Sequence, residues 1–340
     1  MADKNENQKL TINIDIRSMV IFFAVLISMY LIYLILDVLI LVFLGSILAL
    51  ALEPSVEYLK KKKIPHSVSV LIVILTTLLF AGILGSIAFA PLIQQTRSLI
   101  INVPFYTEKT LSIPGIEKYT DALLGQLNGS GEKIFNFTLG AFSGALSFLV
   151  MITFTVYLLL DFENFRRLFI GIFPPLKRKD VQKTILAIET KLKDWLRGQV
   201  ILMFIIGILS YIGLIALGLE EYALALAVIA GVLEVIPVIG PIISLVPAAI
   251  IGFTVSPALG IGVIGLYTII QQAENQFIVP KVMQKAVGIN PIVTIVAFMI
   301  GAQLMGVLGA IISLPVLLIV SEIAKSFIGY DIPLKEPKEN

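Results

Sequence analysis

Long apolar stretches, separated by short polar ones, occupy most of this chain. Such stretches begin at Met19, Val38, Val68, Leu139, Val200 and Leu259. An α-helix needs about 20 apolar residues to cross the hydrocarbon core of a bilayer. Most of these stretches approach or exceed that length, so the pattern predicts an all-α, multi-pass helical membrane protein.

Two further apolar stretches, residues 222–253 and 291–320, do not fit a single crossing. Each is too long for one comfortable span and too short for two. Both are interrupted near the middle by glycine and proline: Pro237, Gly240 and Pro241 in the first stretch, and Gly301, Gly306 and Gly309 in the second. These stretches are therefore candidates for re-entrant hairpins.

Two octapeptides at the breaks are nearly alike. Residues 238–245 read VIGPIISL and residues 307–314 read VLGAIISL, with six of the eight positions identical. Paired broken segments in two halves of a membrane protein are typical of the binding site of a secondary transporter. Chance similarity in a chain rich in leucine, isoleucine and glycine is the alternative, so the repeat needs support from topology. The twin serines, Ser244 and Ser313, are expected to bond back to helix carbonyls.

The distribution of basic residues supplies that support. The positive-inside rule places Lys60–Lys63 and the segment Arg166–Arg197 in the cytoplasm, and four spans after a cytoplasmic N-terminus satisfy both. If residues 222–253 crossed once, Lys281 and Lys285 would lie outside, whereas a hairpin places both lysines inside. The charges therefore favour two hairpins of opposite orientation, each following one span.

The predicted architecture has six full spans and two Gly/Pro-broken re-entrant hairpins, which form an inverted repeat with both termini in the cytoplasm. Its segments, in order, are a cytoplasmic tail (1–17), three spans (18–93), an extracytoplasmic amphipathic segment (94–138), a fourth span (139–160), a cytoplasmic basic amphipathic helix (161–198), a span with the first hairpin (199–253), a span with the second hairpin (254–323) and a cytoplasmic tail (324–340).

The basic segment has an apolar stripe at helical spacing. The residues of this stripe are Val181, Ile185, Ile188, Leu192 and Trp195. Such a face packs either on the protein itself or on lipid headgroups, and the sequence leaves both alternatives open.

Composition agrees with a membrane protein and excludes several enzyme classes. Hydrophobic residues make up 58% of the 340 residues and charged residues 14%, and the mean hydropathy is +0.98. There is no cysteine and a single histidine, His66, which excludes a thiolate nucleophile and a histidine pair for zinc. We therefore expect no enzymatic activity, no cofactor and no nucleic-acid partner, with a lipid bilayer as the surroundings.

Polar residues inside the apolar stretches are the candidate binding residues. Glu234 precedes the first break, and an ionisable residue at membrane depth is a functional candidate by default. Gln271, Glu274 and Asn275 are spaced to share one helix face, where they act either as glue between helices or as pocket ligands. The predicted binding set comprises Glu234, Pro237, Gly240, Pro241, Gln271, Glu274, Asn275, Gln303, Gly306 and Gly309, with H+ or Na+ as the coupling ion.

Several short motifs occur in a characteristic order. They are Phe173-Pro174-Pro175, Trp195-Leu196-Arg197-Gly198-Gln199, the stretch Leu233–Pro241, Glu274-Asn275 with Val279-Pro280-Lys281, Val287-Gly288 with Asn290-Pro291, and Gly306–Ala310 with Pro315. With this ordered set the chain resembles the autoinducer-2 exporter family of prokaryotic permeases over nearly its whole length.

The resemblance implies a multi-pass transporter of the inner membrane that works by alternating access. Some members export autoinducer-2, a small hydroxyl-rich signal, and others are sodium/proton antiporters. It also implies a homo-oligomer, with a pentamer as the expected assembly, in which the hairpin-bearing half moves against a static half. Many relatives carry Asn where this chain has Glu234, which leaves the transported species open. A non-transporting membrane scaffold is the alternative from a different class.

Overall fold

The computed structural model describes residues 16–110, 130–236, 239–283 and 291–328, and within these the side chains of 19–88, 144–236, 239–283 and 292–326. All regular elements in these ranges are helical. The helices are α1 (Ile16–Leu34), α2 (Leu36–Lys61), α3 (His66–Thr110), α4 (Ser130–Leu160), α5 (Phe162–Gly171), α6 (Arg178–Ala216), α7 (Glu220–Leu233), α8 (Ile239–Val255), α9 (Pro257–Ala273), α10 (Val279–Val282) and α11 (Pro291–Ile328), with a 3-10 turn at Pro175–Lys177 and a π-helical turn at Glu274–Ile278.

The length and composition of the helices are those of a membrane protein. Among the described residues, four helices are long and apolar enough to cross a bilayer: Leu36–Lys61, His66–Ala88, Pro175–Ala216 and Ile292–Ser326. A fifth candidate is α4 together with α5, which are bent by 87° relative to each other. The apolar helices α1 and α8 are shorter over their described side chains. The predicted all-α membrane class is confirmed.

The first half of the chain forms a bundle of α2, α3 and α4. Its core consists of small and branched apolar side chains contributed by all three helices: Ala49, Val56, Val70, Val73, Ile74, Leu158 and Leu159. The hydroxyl of Thr155 on α4 donates to the carbonyl of Gly45 on α2, with 3.2 Å between the oxygens. Side chains on the other faces of these helices, such as Leu71, Leu75 and Leu149, are exposed, as expected for helices surrounded by lipid.

Contacts along α6 establish the direction of α7. Gly231, near the end of α7, lies against Met203 and Gly207 of α6. The beginning of α7 follows directly on the end of α6, through a turn at Gly218 with a φ of +80°. The two helices therefore run antiparallel, and α7 returns about half the length of α6.

The chain also reverses its direction after α7, as contacts between α9 and α6 show. On α9, Gly262 lies beside Leu217, and Leu266 lies beside Gly213. Because α9 begins at the end of α6 where α7 also begins, the chain must return to that end between the two helices. The intervening helix α8 makes this return, so α7 and α8 form a helical hairpin.

Helix α11 also folds back on itself. Its regular dihedral angles are interrupted at Met305 and at Gly306, whose φ is +60°, a value that favours glycine. Gly301 lies in contact with both Gly309 and Ser313. In a straight helix residues eight apart are about 12 Å from each other. The two halves of α11 are therefore antiparallel, and Gly301 and Gly309 let their backbones approach closely.

The second half of α11 lies antiparallel to the N-terminal half of α6. The hydroxyls of Thr184 and Ser326 are 2.7 Å apart, and Lys191 Nζ is 2.6 Å from Glu322 Oε1. At about 1.5 Å per residue, the reversal at Gly306 lies near the level of Met203. The α7–α8 and α11 hairpins thus approach a similar depth along α6 from its opposite ends.

The apolar stripe of the basic segment packs on the protein itself. Ile188, Leu192 and Trp195 of α6 form a core with Leu50 of α2 and with Leu314 and Leu318 of α11. This settles, for these residues, the alternative that the sequence left open. Met283 at the end of α10 lies against Gly198, so the nearby Lys281 is at the same end of the bundle as the basic part of α6. Lys285 lies outside the described residues.

Candidate functional site

The tip of the α7–α8 hairpin is a tight turn built around glycine. Helix α7 ends at Leu233, and the Gly240 N–H donates to the Ile236 carbonyl at 2.8 Å. A side chain at Gly240 would overlap the carbonyl of Leu233. Pro241 is buried in the first turn of α8, where helix N–H groups have no intrahelical partner and proline is tolerated. Pro237, predicted to belong to the binding set, lies outside the described residues.

The carboxyl group of Glu234 is buried at this tip. Glu234 caps the C-terminal end of α7, and its residue surface is 1% exposed. Neither carboxyl oxygen makes a hydrogen bond of good geometry in the described part of the chain. An unpaired charge in such a place is costly, so this group requires a proton or a cation.

A second buried carboxyl group faces Glu234. Glu274 begins the π-helical turn after α9 and is 2% exposed, and its side chain interacts with that of Glu234. Its Oε2 atom also has no hydrogen-bond partner among the described residues. The hairpin tip and the π-helical turn thus bring together two carboxyl groups that are forty positions apart in the sequence.

The amide of Gln199 completes this buried cluster. Its Nε2 atom donates to the backbone carbonyl of Glu234 at 2.5 Å, and the residue is 2% exposed. Because the carbonyl accepts, the nitrogen of the amide must face it, which fixes the position of Oε1. This oxygen is buried without a partner among the described residues. We define Gln199, Glu234 and Glu274 as the acidic cluster.

Two hydroxyl groups lie further along the same helices. Ser210 of α6 and Tyr267 of α9 are buried and their hydroxyls interact, although neither makes a hydrogen bond of good geometry. Ser210 lies on the same face of α6 as Gln199, and Tyr267 lies two turns before Glu274. The polar interior therefore extends from the acidic cluster toward the C-terminal end of α6.

The side chains predicted to form a polar face at the end of α9 differ in their exposure. Glu274 is buried, Gln271 is half-buried, and Asn275 is exposed. The side chains of Gln272 and Gln276 bond to each other at 3.3 Å on the exposed side. The i, i+3, i+4 spacing places these residues along one side of the helix, but Glu274 and Asn275 are adjacent and point about 100° apart, so only Glu274 of the pair is buried.

The predicted binding residues of the second hairpin are Gln303, Gly306 and Gly309 of α11. Gln303 and Gly306 are exposed, while Gly309 is buried between the two halves of α11. Gln303 therefore does not belong to the buried acidic cluster. The hydroxyls of Ser244 and Ser313 donate to the carbonyls of Pro241 and Ala310, at 3.0 and 2.7 Å. The prediction that the twin serines bond back to their own helices is confirmed.

Of these buried polar residues, Glu234 and Glu274 were among those predicted from the sequence, whereas Gln199, Ser210 and Tyr267 were not. Gln199 had a usable signal, since it closes the motif Trp195–Gln199 and is an amide at the start of an apolar stretch. The two hydroxyls had none, because serine and tyrosine are ordinary residues in membrane helices.

The fold and this buried site define a multi-pass helical membrane protein of the transporter class. Residues 19–329 match the family described as AI-2E family transporter, and the chain belongs to this family.

Relatives from several bacteria are similar over most of their length. YueF of Bacillus subtilis, named as a transport protein, is 29% identical over 304 residues, which cover 82% of this chain and 80% of the relative. A sodium-lithium/proton antiporter of Halobacillus andaensis is 25% identical over 320 residues, covering 86% of this chain and 90% of the relative. YhhT of Escherichia coli, also named as a transport protein, is 22% identical over 298 residues, which cover 82% of both chains.

Proposed function

We propose that this protein is a proton-coupled secondary transporter of the inner membrane, in which Glu234 and Glu274 carry the coupling proton. The observation that carries the proposal is the buried pair of facing carboxyl groups at the tip of a hairpin. Ionisable residues at membrane depth typically mark ion pathways and proton relays.

The physical chemistry of the pair supports proton exchange. Two facing carboxyl groups that are buried cannot both be ionised at low cost, so they share a proton. When either hairpin moves and water reaches the pair, hydration lowers the free-energy cost of ionising the second carboxyl group, and the proton leaves. A site that takes up a proton in one conformation and releases it in another meets the requirement for coupling.

The arrangement of the hairpins supports alternating access. The α7–α8 and α11 hairpins approach a similar depth from opposite ends of α6, as inverted repeats of secondary transporters do. In our proposal both are re-entrant, six helices span the membrane, and both termini are cytoplasmic. The hairpin-bearing half, α6 to α11, then moves against the static bundle of α2, α3 and α4 within a homo-oligomer.

Two substrates are compatible with this mechanism. The first is a small polar solute for export, such as autoinducer-2, and it is proposed because the chain belongs to the AI-2E transporter family. Exchange of sodium or lithium for protons is the second, and one observation favours it. The Halobacillus andaensis relative is named as a sodium-lithium/proton antiporter.

Everted membrane vesicles from expressing cells test the proposal. Respiration acidifies their interior, and a pH-sensitive dye follows the gradient after autoinducer-2, NaCl or LiCl is added. We expect at least one addition to collapse the gradient, and we expect Glu234→Gln and Glu274→Gln to slow that collapse at least tenfold. Glu57→Gln, which changes an exposed carboxyl group on α2, is the matched control.

The alternatives give different outcomes in the same vesicles. A non-transporting scaffold predicts that none of the three additions changes the gradient beyond vesicles without the protein. A collapse that is equally fast in the wild type and in both Gln variants would remove the two carboxyl groups from the mechanism.

A further inference from the structure

The acidic cluster contains more than a proton site requires. Besides the carboxyl oxygens, Gln199 presents a buried amide oxygen whose orientation is fixed by the bond from its Nε2 atom to the Glu234 carbonyl. A proton shared by two carboxyl groups has no need of a third acceptor. Four buried oxygens, on Glu234 and on the two residues that interact with it, lack a hydrogen-bond donor among the described residues: Gln199 Oε1, Glu234 Oε1, Glu234 Oε2 and Glu274 Oε2.

We propose that Gln199, Glu234 and Glu274 form a binding site for a monovalent alkali cation, Na+ or Li+, which replaces the proton shared by the two carboxyl groups. The ligands are all hard oxygen atoms, the class that binds hard cations. This inference rests on the proposed function and names the residues and the chemical class of the ion that its acidic site takes.

One-for-one exchange with the shared proton requires a monovalent cation, because only a monovalent ion leaves the net charge of the site unchanged. The pair with one shared proton carries one negative charge. Binding of one Na+ with release of that proton leaves the net charge unchanged, because two carboxylates and one sodium ion also sum to one negative charge.

The position of the site in the helices favours a cation as well. Glu234 caps the C-terminal end of α7, where the helix dipole places partial negative charge. C-terminal ends of half-helices coordinate sodium in other broken-helix transporters. The ionisable group that faces Glu234 is Glu274, and Gln199 and the more distant Tyr267 are uncharged, so no fixed positive charge from these neighbours competes with the ion.

The chain supplies its own reporter for binding. Trp195 is the single tryptophan, is buried, and lies one helical turn before Gln199 on the same face of α6. Purified protein is titrated with NaCl, LiCl or choline chloride at constant ionic strength, while Trp195 fluorescence is recorded. In a weakly buffered sample, a pH dye measures the protons released by each salt.

We expect a saturable response to NaCl or LiCl and none to choline chloride. We also expect close to one proton released per cation, and an apparent affinity about tenfold weaker for each pH unit of acidification while the shared proton must be displaced. Gln199→Met and Glu234→Gln should each weaken binding at least tenfold. Gln182→Met, an exposed position on the same helix, should bind as the wild type does.

Failure of this inference is distinguishable from failure of the proposed function. If neither fluorescence nor proton release responds to sodium or lithium, or if both variants respond like the wild type, the cation site is overturned. A gradient that collapses with autoinducer-2 in vesicles, and depends on Glu234, would leave the proposed function standing in that case. Size-exclusion profiles and thermal unfolding of each variant show whether it is folded.

Discussion

At the scale of single residues, the first hairpin depends on the absence of a side chain at Gly240. The site an ideal Cβ atom would occupy there is 2.0 Å from the carbonyl oxygen of Leu233, which is backbone and cannot move aside as a side chain would. The close approach lets the chain turn within a few residues and keeps Glu234 at the tip.

We therefore predict that Gly240→Ala destabilises the protein by about 1–3 kcal/mol, the typical cost of overpacking. Thermal unfolding in detergent measures this as a lowered midpoint. Gly265→Ala is the matched control, because Gly265 in α9 has no atom near its missing Cβ, and alanine there should be neutral or stabilising by up to about 1 kcal/mol. Equal midpoints for the two variants would contradict the tight turn.

The residue scale also shows what the sequence could predict and what it could not. Gly240 and Gly306 were predictable as breaks because glycine and proline interrupt apolar runs there, and the chain reverses at both places. The burial of Gln199 beside Glu234 was not predictable, since it depends on the packing of α7 against α6. The exposure of Asn275 beside the buried Glu274 was not predictable either, because the spacing shows which residues are neighbours on a helix but not which of them faces the protein interior.

At the scale of elements, α6 connects the two halves of the molecule through ion pairs. Its N-terminal half pairs with three other helices: Lys193 with Glu53 of α2 at 2.6 Å, Glu189 with Arg166 of α5 at 2.7 Å, and Lys191 with Glu322 of α11 at 2.6 Å. All six side chains are at least three-quarters buried. Removing one partner of such a pair costs more than removing one partner of an exposed pair, since it leaves a charge in a poorly hydrated place.

We predict that Lys191→Glu destabilises the contact between α6 and α11 by about 2 kcal/mol, because it replaces an attractive pair with a repulsive one. The double variant Lys191→Glu/Glu322→Lys should recover at least half of the loss. Lys183→Glu reverses an exposed lysine on the same helix and should change stability by less than about 0.5 kcal/mol. Thermal unfolding of the wild type and these three variants measures the changes, and an unrecovered double variant would contradict a direct pair.

At the scale of the whole molecule, the two hairpins and α6 form one unit and the α2–α4 bundle another. The two units meet where α3 packs on α7, with Ala88 joining the core of the hairpin unit, and where α2 reaches α6. The sequence predicted the order of the helices well, because hydrophobic length and glycine breaks are local properties. The level along α6 that each hairpin tip reaches could not be predicted, since it depends on contacts such as Gly231 with Met203.

The sidedness of the chain is the whole-molecule consequence of the first hairpin, and it is open to a direct test. The chain has no native cysteine, so single cysteines can be introduced without removing others. We predict that Lys281→Cys and Lys179→Cys react with a membrane-impermeant maleimide from the same side, and that Glu221→Cys reacts only from the opposite side. All three positions are exposed. The reason is geometric, since α7, α8 and α9 together add one net crossing rather than three.

Labelling of intact cells and of everted vesicles distinguishes the two sides of the membrane. The positive-inside rule predicts that Lys179→Cys and Lys281→Cys react in the vesicles. If Lys281→Cys instead reacted from the side of Glu221→Cys, then residues 222–253 would cross the membrane once, and the acidic cluster could not lie at the tip of a re-entrant hairpin.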